Sequence, residues 1–158
     1  MGRLEGVGEQ RDPFISERLT GNLVSAFRVL DAADRALATH DAALANVVLG
    51  FEADARAGIG PVGGAVRGDA AVESILELAM RVADLARVAW RPDRAHPQDD
   101  EVSALRDDID AVRAHAALAI DGGFDELSML TRLVARADAH TAAMARACDV
   151  RRYACLAS

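Results

Sequence analysis

The chain has 158 residues, 34 of them alanine, with 51% hydrophobic and only 4% aromatic residues, and a formal net charge of −7. That length suits one domain able to bury a full core, and that alanine content favours helix, since alanine gives up no side-chain entropy on entering one. The net negative charge argues against nucleic-acid backbone binding, which requires phosphate neutralisation by positive charge. All 18 basic residues are arginine.

No stretch is apolar for long enough to span a bilayer. The first residues also lack the charged start and apolar run of a signal peptide. Both readings point to a cytoplasmic protein. Cys148 and Cys155 are seven apart, roughly 10 Å along one helix, too far to bridge. They read as small buried hydrophobes.

In chain order, residues 1–12 carry Gly2, Gly6 and Gly8 without any period and read as a flexible arm. Asp12, Pro13 and Glu17 then give a helix start. From there to Ala57, apolar residues recur in steps of three and four: Ile15, Leu19, Leu23, Phe27, Leu30 and onward to Leu44, Val48 and Phe51. One gap of seven spans His40. The stretch around Asn46 is apolar on nearly all sides and is expected to be buried from several directions.

An unbroken helix over 13–57 would be about 67 Å long, twice its partners. It must either overhang onto another chain or break at Thr39-His40-Asp41.

Gly58 to Gly68 is a glycine-rich turn that lacks the spacing and lysine of a phosphate loop. Asp69 is then expected to cap a helix over 70–90, with Val72, Ile75, Leu76, Ala79 and Val82 on its buried face. Leu78, Leu85 and Val88 widen that face and imply contact with more than one neighbour. Pro92 and Pro97 enclose a polar turn. A further helix runs from about Asp99 to Asp121 on a Val102–Leu105–Ile109–Val112–Ala116 seam. After Gly122-Gly123, a last helix runs to about Tyr153 on Leu130, Val134, Ala137, Thr141, Met144 and Cys148.

These elements predict an all-α domain over 13–158. Its form is an up-down-up-down four-helix bundle, with five helices if the first one breaks near Thr39–Asp41.

Three constellations carry possible chemistry. His40 and His140 fall in or beside their seams at similar height in a bundle with sequential neighbours, with Trp90 close and Asp41 and Asp138 near in sequence. Such a pair could hold one transition metal or a small ligand. Acids at three- and four-residue spacing, Asp107 with Asp110 and Glu73 with Glu77, could bind Mg²⁺ in an all-α hydrolase; a solvated charged face explains them better. Arg35 and His40 have the Arg-x4-His spacing of some helical ribonuclease domains, without the accompanying polar and aromatic residues. No serine or cysteine sits in a nucleophile context. The reading that fits the whole pattern is a non-catalytic helical scaffold, adaptor or oligomerisation module. It would act through helix–helix contacts with a protein partner or a second copy, with no cofactor.

Overall fold

A computed structural model describes the backbone of residues 13–50, 66–92, 95–122 and 124–157, and the side chains of 21–50, 71–92, 95–118 and 128–149. The expected N-terminal arm, the glycine-rich turn and Cys155 lie outside the described side chains. Five helices are described: α1 (Pro13–Thr39), α2 (Ala42–Gly50), α3 (Val66–Ala89), α4 (Asp99–Gly122) and α5 (Phe124–Ala157). The all-α bundle is as the periodicity predicts. Helix α3 begins three residues before Asp69, so that residue is not its cap.

The long first stretch breaks at His40, by a mechanism visible in the backbone. His40 has φ of 58°, the left-handed conformation that usually falls to glycine. The Asp41 N–H then donates to the Ala36 carbonyl at 2.9 Å, closing the end of α1. Thr39 Oγ1 donates to the Arg35 carbonyl at 2.7 Å, satisfying a further helix-end acceptor. Asp41 at once starts the next helix: its Oδ1 accepts from the Leu44 N–H at 2.9 Å, an N-cap to the third helical residue. One Asp side chain and one His backbone thus turn a single periodic stretch into two helices.

The break resolves the length conflict. Helices α1, α3 and α4 have 27, 24 and 24 residues, all within about one turn of 36–40 Å. Helix α4 has its own start signal, the Gln98 N–H donating to Glu101 Oε1 at 2.8 Å, half of a capping box.

The packing order differs from a bundle of sequential neighbours. Helix α1 packs on α3 and α4, and α5 packs on α3 and α4; consecutive α3 and α4 stand diagonally, without extensive contact. Residues 90–98 connect them, and nine residues reach about 30 Å, ample to cross a diagonal between helices packed 8–10 Å apart. The expectation that a short connection makes neighbours fails here for that reason.

Ion pairs give the directions. Asp34 meets Arg106 while Asp31 meets Arg113, so α1 and α4 are antiparallel. Helices α4 and α5 form a hairpin in which Asp108 meets His140. His40 lies on Trp90, so α1 and α3, which pack along their lengths, end together and run parallel.

Helix α3 is the hub. Ala71, Val72, Ile75, Leu76, Leu78, Ala79, Val82, Ala83, Leu85 and Ala86 are all buried, because α1, α2 and α5 each cover part of it. The predicted seams hold: Leu23, Leu30 and Leu37 of α1, Leu105, Ile109 and Val112 of α4, and Leu130, Val134 and Met144 of α5 are buried. Each fully buried Leu or Ile contributes about 1.5–3 kcal/mol. Helix α2 departs from expectation. It buries Ala45 and Val48 only, and Val47 stays 48% exposed, so α2 covers the core with one face rather than being enclosed.

Candidate functional site

The two histidines singled out from the sequence have separate partners. His40 stacks on Trp90, with ring centroids 3.6 Å apart and planes 20° from parallel. His96 meets the other side of the cluster edge-on, 5.7 Å from Trp90. Its Nε2 lies 3.2 Å from the Arg91 carbonyl. The Trp90 indole N–H is buried without a hydrogen-bond partner among the described residues.

His140 instead places Nδ1 2.9 Å from Asp108 Oδ2, and Arg136 Nε approaches the other oxygen of that carboxylate at 3.5 Å. Asp108 sits on α4 between Arg106 and Arg113, which bind the Asp31–Asp34 turn of α1. His140 is therefore level with that turn and about 9 Å along the axis from His40, on a helix diagonal to α1.

The arrangement brings His40 to Trp90, as expected, but does not bring the two imidazoles together. Nor do the sequence-near acids serve them: Asp41 caps α2 and Asp138 pairs with Arg81 at 2.7 Å. The acid that orients His140 comes from α4. No group of three or more His, Cys, Asp or Glu side chains suited to a metal occurs among the described residues.

The acidic pairs are likewise dispersed. Asp110 is engaged by Arg113, and Asp107 is exposed. Glu73 and Glu77 lie on α3, diagonal to α4, so they cannot complete a shared Mg²⁺ site with those residues. Arg35 lines an open polar groove with Asp31, Arg106 and Arg113, apart from the aromatic cluster that holds His40.

An interhelical charge network was not anticipated from sequence. Asp34 is only 6% exposed. It accepts from Arg106 Nε at 3.0 Å and Nη2 at 3.3 Å. Arg113 Nη2 stands 3.7 Å from the same carboxylate while donating to Asp31 at 2.6 Å. The hydrogen bond to Asp34 raises the Arg106 guanidinium above the ordinary arginine value. For Arg113 burial pulls downward, and the bonds to Asp31 and Asp110 outweigh it, so it too is raised. A buried carboxylate costs far more alone than paired, so this network selects α4 as the neighbour of α1. The only sequence signal was an Asp inside an apolar seam, at Asp34.

A second groove, about 330 Å³, opens between α3 and α5 over Leu85, Val88, Ala142, Ala145 and Cys148. Thr141 beneath it is buried and donates to the Ala137 carbonyl at 2.8 Å.

The outer surface carries several large apolar side chains. Leu118 is 57% exposed, Val47 48%, Met129 41% and Val24 39%. Leu118 and Met129 share the end of the bundle where α4 turns into α5. Comparison with known protein families, with curated proteins and with solved structures finds no match.

Proposed function

We propose that this chain is a non-catalytic helical interaction module that recognises a protein partner through the outer faces of its helices. The observation that carries the reading is Leu118, a large apolar side chain more than half exposed on the outward face of α4, with exposed Met129 at the same level on α5. Large apolar side chains grouped on a soluble surface mark contact sites more often than isolated ones do. The charges between the helices support the same reading from the other side. Asp34, Arg106, Arg113, Asp108 and His140 satisfy one another between helices, which suits a rigid scaffold.

The test is isolation of tagged chain from its own cells under native conditions, followed by native mass spectrometry. A stoichiometric companion, of any identity including a second copy, is expected with the unaltered chain and lost with Leu118→Glu. A chain that emerges alone, or a companion indifferent to Leu118→Glu and to Val47→Glu, would overturn the reading.

A further inference from the structure

The outward faces of α4 and α5 have complementary chemistry. On α4, Asp100, Ala104, Asp107, Ala111, Ala114 and Leu118 follow one another in steps of four and three, so they share one face, and all six are exposed. On α5, Arg132, Ala135, Ala139, Ala143 and Arg146 do the same, and all are exposed. Arg136, beside this line, is exposed too and leans toward Asp108 of α4. One helix of the hairpin therefore presents acids on a floor of alanines, and the other presents arginines on a floor of alanines. Alanine floors let two helices approach closely.

Resting on the interaction reading above, we infer that the partner is a second copy of this chain, docked hairpin against hairpin so that α4 of each lies on α5 of the other. Charge selects this arrangement over the alternatives. Packing α4 on α4 would set Asp100 and Asp107 against their own kind, and packing α5 on α5 would do so for the arginines.

A two-fold axis parallel to the helices makes both α4–α5 contacts at once and keeps each residue at its own height. Height follows from the Asp108–His140 pair across the antiparallel hairpin. On that scale Leu118 stands opposite Met129 of the second copy, and Asp100 stands opposite Arg146. The two exposed large apolar residues among the described side chains of the hairpin thus cover each other at one end, and opposite charges meet at the other. The face from Asp100 to Leu118 is about 27 Å long and two helices, or about 20 Å, wide. That size belongs with small, reversible interfaces.

The experiment is sedimentation velocity of purified full chain from about 1 to about 200 µM, a range that brackets micromolar association. The unaltered chain is expected to shift from its 16.7 kDa monomer toward twice that mass. Leu118→Glu is expected to stay monomeric with an unchanged helical spectrum, since the residue is already largely in solvent.

Asp100→Arg or Arg146→Asp alone is expected to weaken dimerisation about tenfold, because each contact recurs twice across the axis. The two together, which restore opposite charges, should return it to within about threefold of the unaltered value. A monomer at every concentration, a dimer unmoved by Leu118→Glu, or failure of the charge swap to recover would each overturn the proposal. If such a monomer comes out of its own cells bound to a different protein, the second-copy proposal falls and the interaction reading stands. If it comes out alone, both fall.

Discussion

Replacing His40 tests the helix break most sharply, because two effects of known sign meet at one residue. Its backbone is left-handed, with φ of 58°, which costs a residue with a Cβ about 1–2 kcal/mol relative to glycine. Glycine gives back about 0.5–1 kcal/mol through its freer unfolded chain. A net advantage of about 0.5–1 kcal/mol is left for glycine over alanine at this position. The imidazole meanwhile stacks on Trp90 at 3.6 Å, an interaction worth about 0.5–1.5 kcal/mol.

His40→Ala loses the stack and keeps the strain, so it should destabilise by about 1 kcal/mol. His40→Gly loses the stack and relieves the strain, so it should fall within about 0.5 kcal/mol of the unaltered chain. Urea unfolding followed by the fluorescence of Trp90, the sole tryptophan, measures all three. For a chain of this size the two variants should differ in Tm by about 2–4 °C per kcal/mol. If His40→Ala is as stable as His40→Gly or more so, residue 40 is not left-handed in solution, and α1 continues through it.

Three further predictions follow from the packing and the charge network. Ile109→Ala, at a fully buried site on α4, should cost about 2–5 kcal/mol in denaturant unfolding, whereas Ala111→Ser on the exposed face should fall within about 0.5 kcal/mol. Asp41→Ala removes the N-cap of α2 and should cost about 1 kcal/mol, with amide exchange rising first in residues 42–45.

Arg106→Gln leaves the Asp34 carboxylate with its weaker contact to Arg113. Discounting the fully buried figure because Arg106 is half exposed, the cost should be about 1–2 kcal/mol. Because Arg106 is raised above the ordinary arginine value by its bond to Asp34, its stabilisation is fully present below that ordinary value and is lost only as pH rises through the folded one. The cost of Arg106→Gln should therefore be the same at pH 7 and pH 10. A cost that vanishes by pH 10 would show that the stabilisation comes from a group titrating below pH 10 and not from the guanidinium–Asp34 bond.

The seams of α1, α4 and α5 were legible because three-four periodicity is a local property of a helix, and Leu23, Leu30, Ile109 and Val134 obey it. The break at Thr39–Asp41 was legible as one of two options, from a gap in the seam and from a length its partners could not match. What decides the matter, the left-handed His40 backbone with its bond from Asp41 to Ala36, is a tertiary outcome carried by a residue with no strong turn signal.

The order of helices around the bundle was not legible. It depends on where α4 goes after residues 90–98, and that is settled by Asp34 reaching Arg106 and Arg113 across more than 70 positions of sequence. The same misplacement explains the histidines. Placing α4 beside α3 let His40 and His140 face each other, whereas the diagonal arrangement separates them and gives His140 to Asp108. The height of His140 against α4 was nevertheless read to within a turn, because one helix ends at Gly122 and the next begins at Phe124, which fixes the hairpin register. Leu118 and Met129 lie beside the seam residues Ala116 and Leu130, and nothing in the sequence separates an exposed apolar residue from one that widens a buried face.

If the outer face of α4 and α5 is a contact surface, as proposed, Met129 reports on it directly. It is 41% exposed, while Met144 on the same helix is 1% exposed. Hydroxyl-radical oxidation, read by peptide mass spectrometry at dilute and concentrated protein, compares the two in one sample. Met129 is expected to react readily in dilute solution and to become several-fold protected as the chain associates, with Met144 unreactive throughout. Equal oxidation of Met129 in a sample shown to be fully associated would show that this face stays in solvent and is not the contact surface.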